Sequence, residues 1–211
     1  DGAVVFNGEG GEYSGRISRT DRQGVSVTAL QWLGADREPA LRFHLVQALC
    51  ASDRMDWLLQ KAAELGVTSV QPVISSRGVA RLSGERAEKR LAHWRGVMVA
   101  ACEQCGRNRL PELAPVMPFA AWLDGAQGAA AACQGFGVLL VPEAQQSLSA
   151  LPRPEGGVTL LVGPEGGWTG QEQRAAMARG FAPVRLGARI LRTETVALAA
   201  LAAMQALWGD F

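Results

Sequence analysis

Apolar and polar positions change their period once along this chain, near Pro39. Before it the apolar stretches are short and broken by turn residues. Ala3–Phe6 stops at Asn7-Gly8, Glu12–Arg19 follows Gly10-Gly11, and Val25–Leu30 alternates with period two after Asp21–Gly24. Alternation marks half-buried strands, and the Asn, Asp and Gly breaks carry turn chemistry. Three such strands do not close a barrel. Residues 1–35 therefore read as part of a small β domain whose start is absent, with Gly34–Pro39 as a linker.

From residue 40 to residue 211 strand and helix patterns alternate. Leu41–Leu49 is a strand. Asp53 caps a helix that runs to Leu65 and stops at Gly66. Val67–Ile74 is a second strand, which Pro72 places near an edge or a bulge. Ser83–Cys105 is a long amphipathic helix with Leu91, Trp94, Met98 and Cys105 near one face, and Gly125–Gly137 is a helix end or loop. Val138–Val141, Val158–Val162 and Val184–Leu186 are short apolar strands. The helix between the last two opens with Thr169 and Glu172 at capping-box spacing and closes at Gly180. The final helix, Thr195–Trp208, is apolar almost all round, which predicts burial in a core or an interface.

This order predicts an α/β fold, a mostly parallel sheet with helices on both faces. Ligands bind such sheets beyond the C-terminal ends of the strands. Those ends are Val141–Glu143, Gly163–Gly167 and Gly187–Arg192, which puts the chemistry in the last third of the chain.

Composition narrows the class. At 211 residues, 48% hydrophobic and 19% charged, the chain can hold one sizeable domain, or one domain plus a small appendage. The apolar run Val196–Leu207 is shorter than the roughly 20 residues of a membrane-spanning helix, and no signal peptide is visible. Cys50, Cys102, Cys105 and Cys133 are too few and scattered for a secreted disulfide framework, so a reducing, cytoplasmic setting is expected.

The net charge is only +1, but it is unevenly spread. From Arg77 to Arg109 eight basic residues face three acids, and Arg179, Arg185, Arg189 and Arg192 have no acid among them. Locally basic faces on a nearly neutral chain predict an anionic partner. All the basic residues except Lys61 and Lys89 are arginine, which suits planar contacts with phosphates and bases. A GC-rich genome accounts for the same bias.

The loop Gly163-Pro164-Glu165-Gly166-Gly167 follows a buried strand and precedes a capped helix. Its glycines let backbone N–H groups approach a ligand, and the helix N-terminus adds partial positive charge. The loop has neither the dinucleotide glycine spacing nor a P-loop lysine. Its glutamate disfavours phosphate and suits a cation such as the sulfonium and amino group of S-adenosylmethionine. A tight turn without ligand is the plain structural alternative.

The segment Leu186–Thr195 gathers Arg189, Arg192, Thr193, Glu194 and Thr195 just before the apolar helix. Structurally, Thr193 or Thr195 serves as its N-cap. Cys102-Glu103-Gln104-Cys105 lies within a helix and lacks a second pair, so it reads as packing rather than metal or redox chemistry. His44 and His93 are isolated, and no metal site is expected.

Taken together, Gln60–Val67, Ala101–Asn108, Gly163–Gly167 and Leu186–Thr195 closely resemble the 16S ribosomal RNA uridine-N3 methyltransferases, the RsmE family of the SPOUT superfamily. Gly209-Asp210-Phe211 also looks like that family's ending. The resemblance implies a PUA-like, RNA-holding β domain, here incomplete, followed by an α/β domain with a C-terminal trefoil knot. It implies a homodimer that uses S-adenosylmethionine to methylate N3 of a uridine in the decoding region of the small ribosomal subunit. The alternatives from other classes are a non-catalytic RNA-binding protein and a phosphate-binding hydrolase.

On this reading the cofactor lies among Val141, Gly163, Pro164, Gly166, Leu186, Gly187, Ile190, Leu191, Thr193 and Thr195. Glu165 and Glu194 are the candidate bases or orienting acceptors, and Arg192 stabilises the developing uridine anion. Arg77, Arg81, Arg107, Asn108 and Arg109 form a basic rim for 16S rRNA, with Arg107 foremost. The structural alternative for Arg107 is a salt bridge to Glu103.

Overall fold

The computed structural model describes residues 1–78, 82–125, 128 and 135–211. Arg81 and most of the Gly125–Gly137 loop lie outside the described residues. Strands β1 (Gly2–Val5), β2 (Glu12–Asp21) and β3 (Gly24–Leu33) form an antiparallel sheet in the order β1-β2-β3. The segment after β1 docks on the rest of the chain. Phe6 packs against Ala63, Ala101 and Cys102, and Gly8–Gly10 bonds to the backbone of Asn108–Leu110.

The second sheet comprises β4 (Phe43–Ala48), β5 (Ser69–Ile74), β6 (Glu112–Leu113), β7 (Met117–Pro118), β8 (Gly135–Leu140), β9 (Gly157–Val162) and β10 (Ala182–Val184). Its order is β10-β8-β9-β4-β5-β6, with β7 also on β5, and every pairing is parallel. Pro72 fits because β5 is flanked by two short strands. β6 pairs with Ser69–Val70 and β7 with Val73–Ile74, so Pro72 falls in the gap where no partner needs its missing N–H.

Side chains alternate between the two faces of the sheet. Leu45, Val138 and Leu160 point into a core with α1 (Ser52–Glu64) and α2 (Gly84–Cys105). Val46, Leu139 and Leu161 point to the other face, where α3 (Phe119–Asp124) and α4 (Gly170–Ala178) bring Trp122, Phe119 and Ala176. The final helix, α5 (Thr193–Trp208), packs on the first face, in contact with α1. Helices therefore cover both faces, as expected.

Boundary differences have local causes. α1 begins at Ser52 with Ala51 at its cap position and no side-chain cap, so Asp53 is a first-turn residue, not the cap. Gly66 ends the helix in the left-handed region, at φ 81°. The capping box of Thr169 and Glu172 on α4 forms as its spacing predicts.

α5 starts two residues earlier than the sequence indicates, with Arg192 at its cap position. Its apolar residues Ala197, Leu201 and Met204 are fully covered by this chain's own core, while Leu207 remains 47% exposed. Of the two places its composition allows, a core or an interface, the helix takes the core.

Candidate active site

The C-terminal ends of β8, β9 and β10 meet at one edge of the sheet, and the loops leaving them enclose a cavity of about 730 Å³. That is the size range of small-molecule and cofactor sites. Val141, Gly163, Pro164, Gly166, Leu186, Gly187, Ile190, Leu191 and Thr193 all line it, as do Glu165 and Arg192. Thr195 does not. The earlier helix start turns its side chain to solvent, and Thr193 takes the inward place.

Thr193 ties the cavity wall together. Its hydroxyl donates to the carbonyl oxygen of Gly163 and accepts from the Gln47 amide at 2.9 Å. The end of β4, the glycine loop and the start of α5 are thereby fixed to one another. In the glycine loop, Gly167 has φ 66°, a conformation that favours glycine. A Cβ on Gly166 would stand 3.3 Å from that of Arg77.

Arg77 also borders the cavity and donates to the Gly166 carbonyl at 3.1 Å. The neighbouring Ser76 N–H donates to Glu172 at 2.8 Å, so the segment after β5 is fastened to the glycine loop and to α4. Arg189 and Arg192 stand on the opposite loop. Three of the predicted basic residues thus meet at the cavity rim. Ile190, 86% exposed, is the apolar tip of that loop.

Glu165 and Glu194 occupy different positions. Glu165 is exposed and borders the cavity, whereas Glu194 lies behind the wall on the first turn of α5. One Glu194 oxygen is buried with no hydrogen-bond partner among the described residues. Between the two carboxylates is Arg54, 3.1 Å from Glu165 and 3.8 Å from Glu194. Sequence reasoning missed it. The signal was available, because α1 leaves the C-terminal end of β4, the same sheet edge as the glycine loop.

The expected rim that includes Arg107 and Asn108 does not form. Arg107 is 4% exposed, bonded to Glu38 and the Ala63 carbonyl, and Asn108 is fully buried against Ala35. Arg107 pairs with Glu38 rather than Glu103. These residues join the linker, α1 and the segment after α2, so neither is presented to an RNA. Arg109 is exposed, but its backbone is bridged to Gly8 and Glu9. Cys102 is fully buried, its thiol pushed up to about 11 chiefly by burial, as packing predicts. Among the described residues no cluster has the make-up of a metal site, and no helix is long and apolar enough to cross a membrane.

Comparison with known proteins agrees with this arrangement. A family profile described as an RNA methyltransferase domain matches residues 37–205. The Neisseria gonorrhoeae ribosomal RNA small subunit methyltransferase E, solved with S-adenosyl methionine bound, superposes with a TM-score of 0.90 at 40% identity, over 100% of this chain and 85% of that one. The enzyme of that name from Mycobacterium bovis is 32% identical over 203 residues, 93% of this chain and 77% of that protein. The Bacillus subtilis enzyme is 29% identical over 217 residues, 97% of this chain and 81% of that protein. With its cavity at the strand ends, its acidic glycine loop and these matches, the chain belongs to the RNA methyltransferase domain family, among the ribosomal RNA small subunit methyltransferase E proteins.

Proposed function

We propose that this chain transfers a methyl group from S-adenosylmethionine to N3 of a uridine in 16S rRNA of the small ribosomal subunit. The observation that carries the reading is the cavity at the ends of β8, β9 and β10, with an acidic glycine loop on one wall and arginines at its rim. The cavity fits the cofactor in size and chemistry. Val141, Leu186, Ile190 and Leu191 offer apolar surface to an adenosine, and the backbone of Gly163, Pro164, Gly166 and Gly187 is open to close approach. Trp168 at the wall keeps a buried indole N–H with no partner among the described residues.

S-adenosylmethionine supplies an electrophilic methyl group on a sulfonium, and the sulfur keeps the electron pair of the broken bond. Glu165 places a carboxylate on the cavity surface, where it favours a cation and accepts the proton that uridine N3 must lose. Arg192 at the rim stabilises the uridine anion as it forms. Thr193 holds the glycine loop in register for both ligands. Arg77, Arg189 and Arg192 receive the RNA phosphates or stack beside a splayed-out base, and the exposed Arg109 adds to the basic surface.

The rest of the reading rests on the family resemblance. Residues 40–211 are a SPOUT domain whose last loops form a trefoil knot, residues 1–35 belong to a PUA-like RNA-holding domain, and the active species is a cytoplasmic homodimer. The direct test is incubation with methyl-labelled S-adenosylmethionine and unmodified small ribosomal subunits, followed by mass mapping of the RNA. Label in a single N3-methyluridine is expected. No transfer, or methylation of another base atom, overturns the reading.

A further inference from the structure

Three charged groups from distant parts of the chain converge at the cavity wall. Arg54 comes from the first turn of α1, Glu165 from the glycine loop and Glu194 from the first turn of α5. Arg54 Nη1 donates to Glu165 Oε1 at 3.1 Å, and Arg54 Nε lies 3.8 Å from Glu194 Oε1. The three differ in exposure. Glu165 and Arg54 are each about one-third exposed, whereas the Glu194 side chain is 9% exposed.

The order from cavity to interior is therefore Glu165, Arg54, Glu194. Two carboxylates this close repel unless a cation lies between them. The neighbouring Cys50 senses the same cluster. Burial, then the charges of Glu165 and Glu194, push its thiol up to about 12, while Arg54 opposes them.

Of the three, Glu165 alone borders the cavity. Glu194 has one oxygen near Arg54 and the other shielded from solvent, so it is not placed to reach a nucleobase. It is placed to fix the guanidinium, and α5 favours an anion on its first turn. This is the arrangement of a reacting group, an orienter and a buried anchor.

We propose that Arg54, anchored by Glu194, is a positioning residue for methyl transfer that holds the Glu165 carboxylate at the cavity surface. The inference rests on the methyltransferase reading and deepens it. Glu165 is the group that meets the substrate, and Glu194 acts through Arg54. Without Arg54, Glu165 loses its tether and faces the buried charge of Glu194. Displacement of a reacting group by about 1 Å costs on the order of 100-fold in rate.

The test compares Arg54→Met, Arg54→Lys, Glu165→Gln, Glu194→Gln and the double variant Arg54→Met/Glu165→Gln. Single-turnover transfer from S-adenosylmethionine to small ribosomal subunits is read beside cofactor affinity by calorimetry and Tm. Arg54→Met is expected to lower the rate roughly 10- to 100-fold with cofactor affinity within about threefold. Arg54→Lys should recover most of the rate, and the double variant should be no slower than Glu165→Gln.

A rate unchanged in Arg54→Met overturns the inference, as do single losses that multiply in the double variant. Equal falls in rate, affinity and Tm with no recovery by Lys overturn it as well, since a merely structural residue behaves so. Arg54→Gln replaces Met in the same cycle if Met disturbs folding. Wild-type protein that transfers no methyl group overturns the functional reading itself, a result distinct from all of these.

Discussion

Arg107 grips Glu38 with two nitrogens, Nε to Oε1 at 2.9 Å and Nη2 to Oε2, and directs Nη1 to the Ala63 carbonyl. The pair joins the linker before β4 to the last turn of α1 and to the segment after α2. Truncating it strands a largely buried carboxylate and a carbonyl oxygen, a loss of about 3 kcal/mol or more. Arg107→Ala should therefore lower the melting temperature by on the order of 2–4 °C for each of those kcal/mol. Cofactor binding measured below the transition should stay near normal, because the pair sits at the far end of α1 from Arg54. A variant that melts like wild type but binds RNA poorly would restore Arg107 to the RNA surface.

Arg107 marks a limit of reading this chain as a sequence. Glu103 is visible as a partner because it lies one helical turn away, whereas Glu38 is 69 positions distant and meets Arg107 only through the fold. The place of Arg54 at the sheet edge was legible, but its pairing with Glu165, 111 positions away, was not. The cofactor loops were legible because their signals are local. Glycines at a strand end followed by a capping box mark a strand-to-helix loop, and the parallel sheet gathers such loops at one edge. Thr195 was misplaced by a two-residue error in the start of α5, where Arg192, lacking any side-chain cap, occupies the cap position that the sequence assigns to a threonine. Half a turn suffices to exchange a cavity wall for solvent.

Thr193 gives a second expectation. Replacement by Val keeps the shape but leaves the Gly163 carbonyl and the Gln47 amide each short of a buried partner. Unsatisfied buried groups cost about 1–3 kcal/mol each. Thr193→Val should therefore lower stability and weaken S-adenosylmethionine binding by roughly tenfold or more, since about 1.4 kcal/mol transmitted to the loop is a factor of ten. Ser at this position keeps the hydroxyl and should restore most of the affinity. Calorimetry on the two variants checks this, and equal affinities would detach the hydroxyl from the cofactor site.

Gly166 supplies a third. Gly166 lines the cavity, and a Cβ there would stand 3.3 Å from that of Arg77, so a branched side chain crowds either Arg77 or the ligand space. Gly166→Val should weaken S-adenosylmethionine binding at least tenfold, on the order of the 1–3 kcal/mol that overpacking costs in a well-filled site. Arg77→Ala is the control, because it removes the guanidinium that donates to the Gly166 carbonyl without filling the cavity. If Arg77→Ala loses as much cofactor affinity as Gly166→Val, the effect belongs to the arginine and not to the space at Gly166.

Glu172 links the glycine loop to pH. One carboxylate oxygen accepts from the Thr169 N–H at 2.8 Å and from the Thr169 hydroxyl at 2.9 Å, and the other accepts from the Ser76 N–H at 2.8 Å. Burial pushes the carboxyl up, but the N–H groups of Ser76 and Thr169 with the Thr169 hydroxyl together outweigh it, so its pKa falls below the ordinary 4.5. A group whose folded pKa is depressed stabilises the fold above its unfolded pKa. That contribution is lost as pH falls through the folded value. Glu172→Gln removes the charge and gives one oxygen where two accept. The stability gap between wild type and Glu172→Gln should thus be widest near neutrality and narrow steadily as pH falls below 4.5. Urea unfolding of both proteins from pH 7 downward measures it. A gap that stays constant across that range would mean that the carboxylate's charge has no part in holding the segment after β5 to α4.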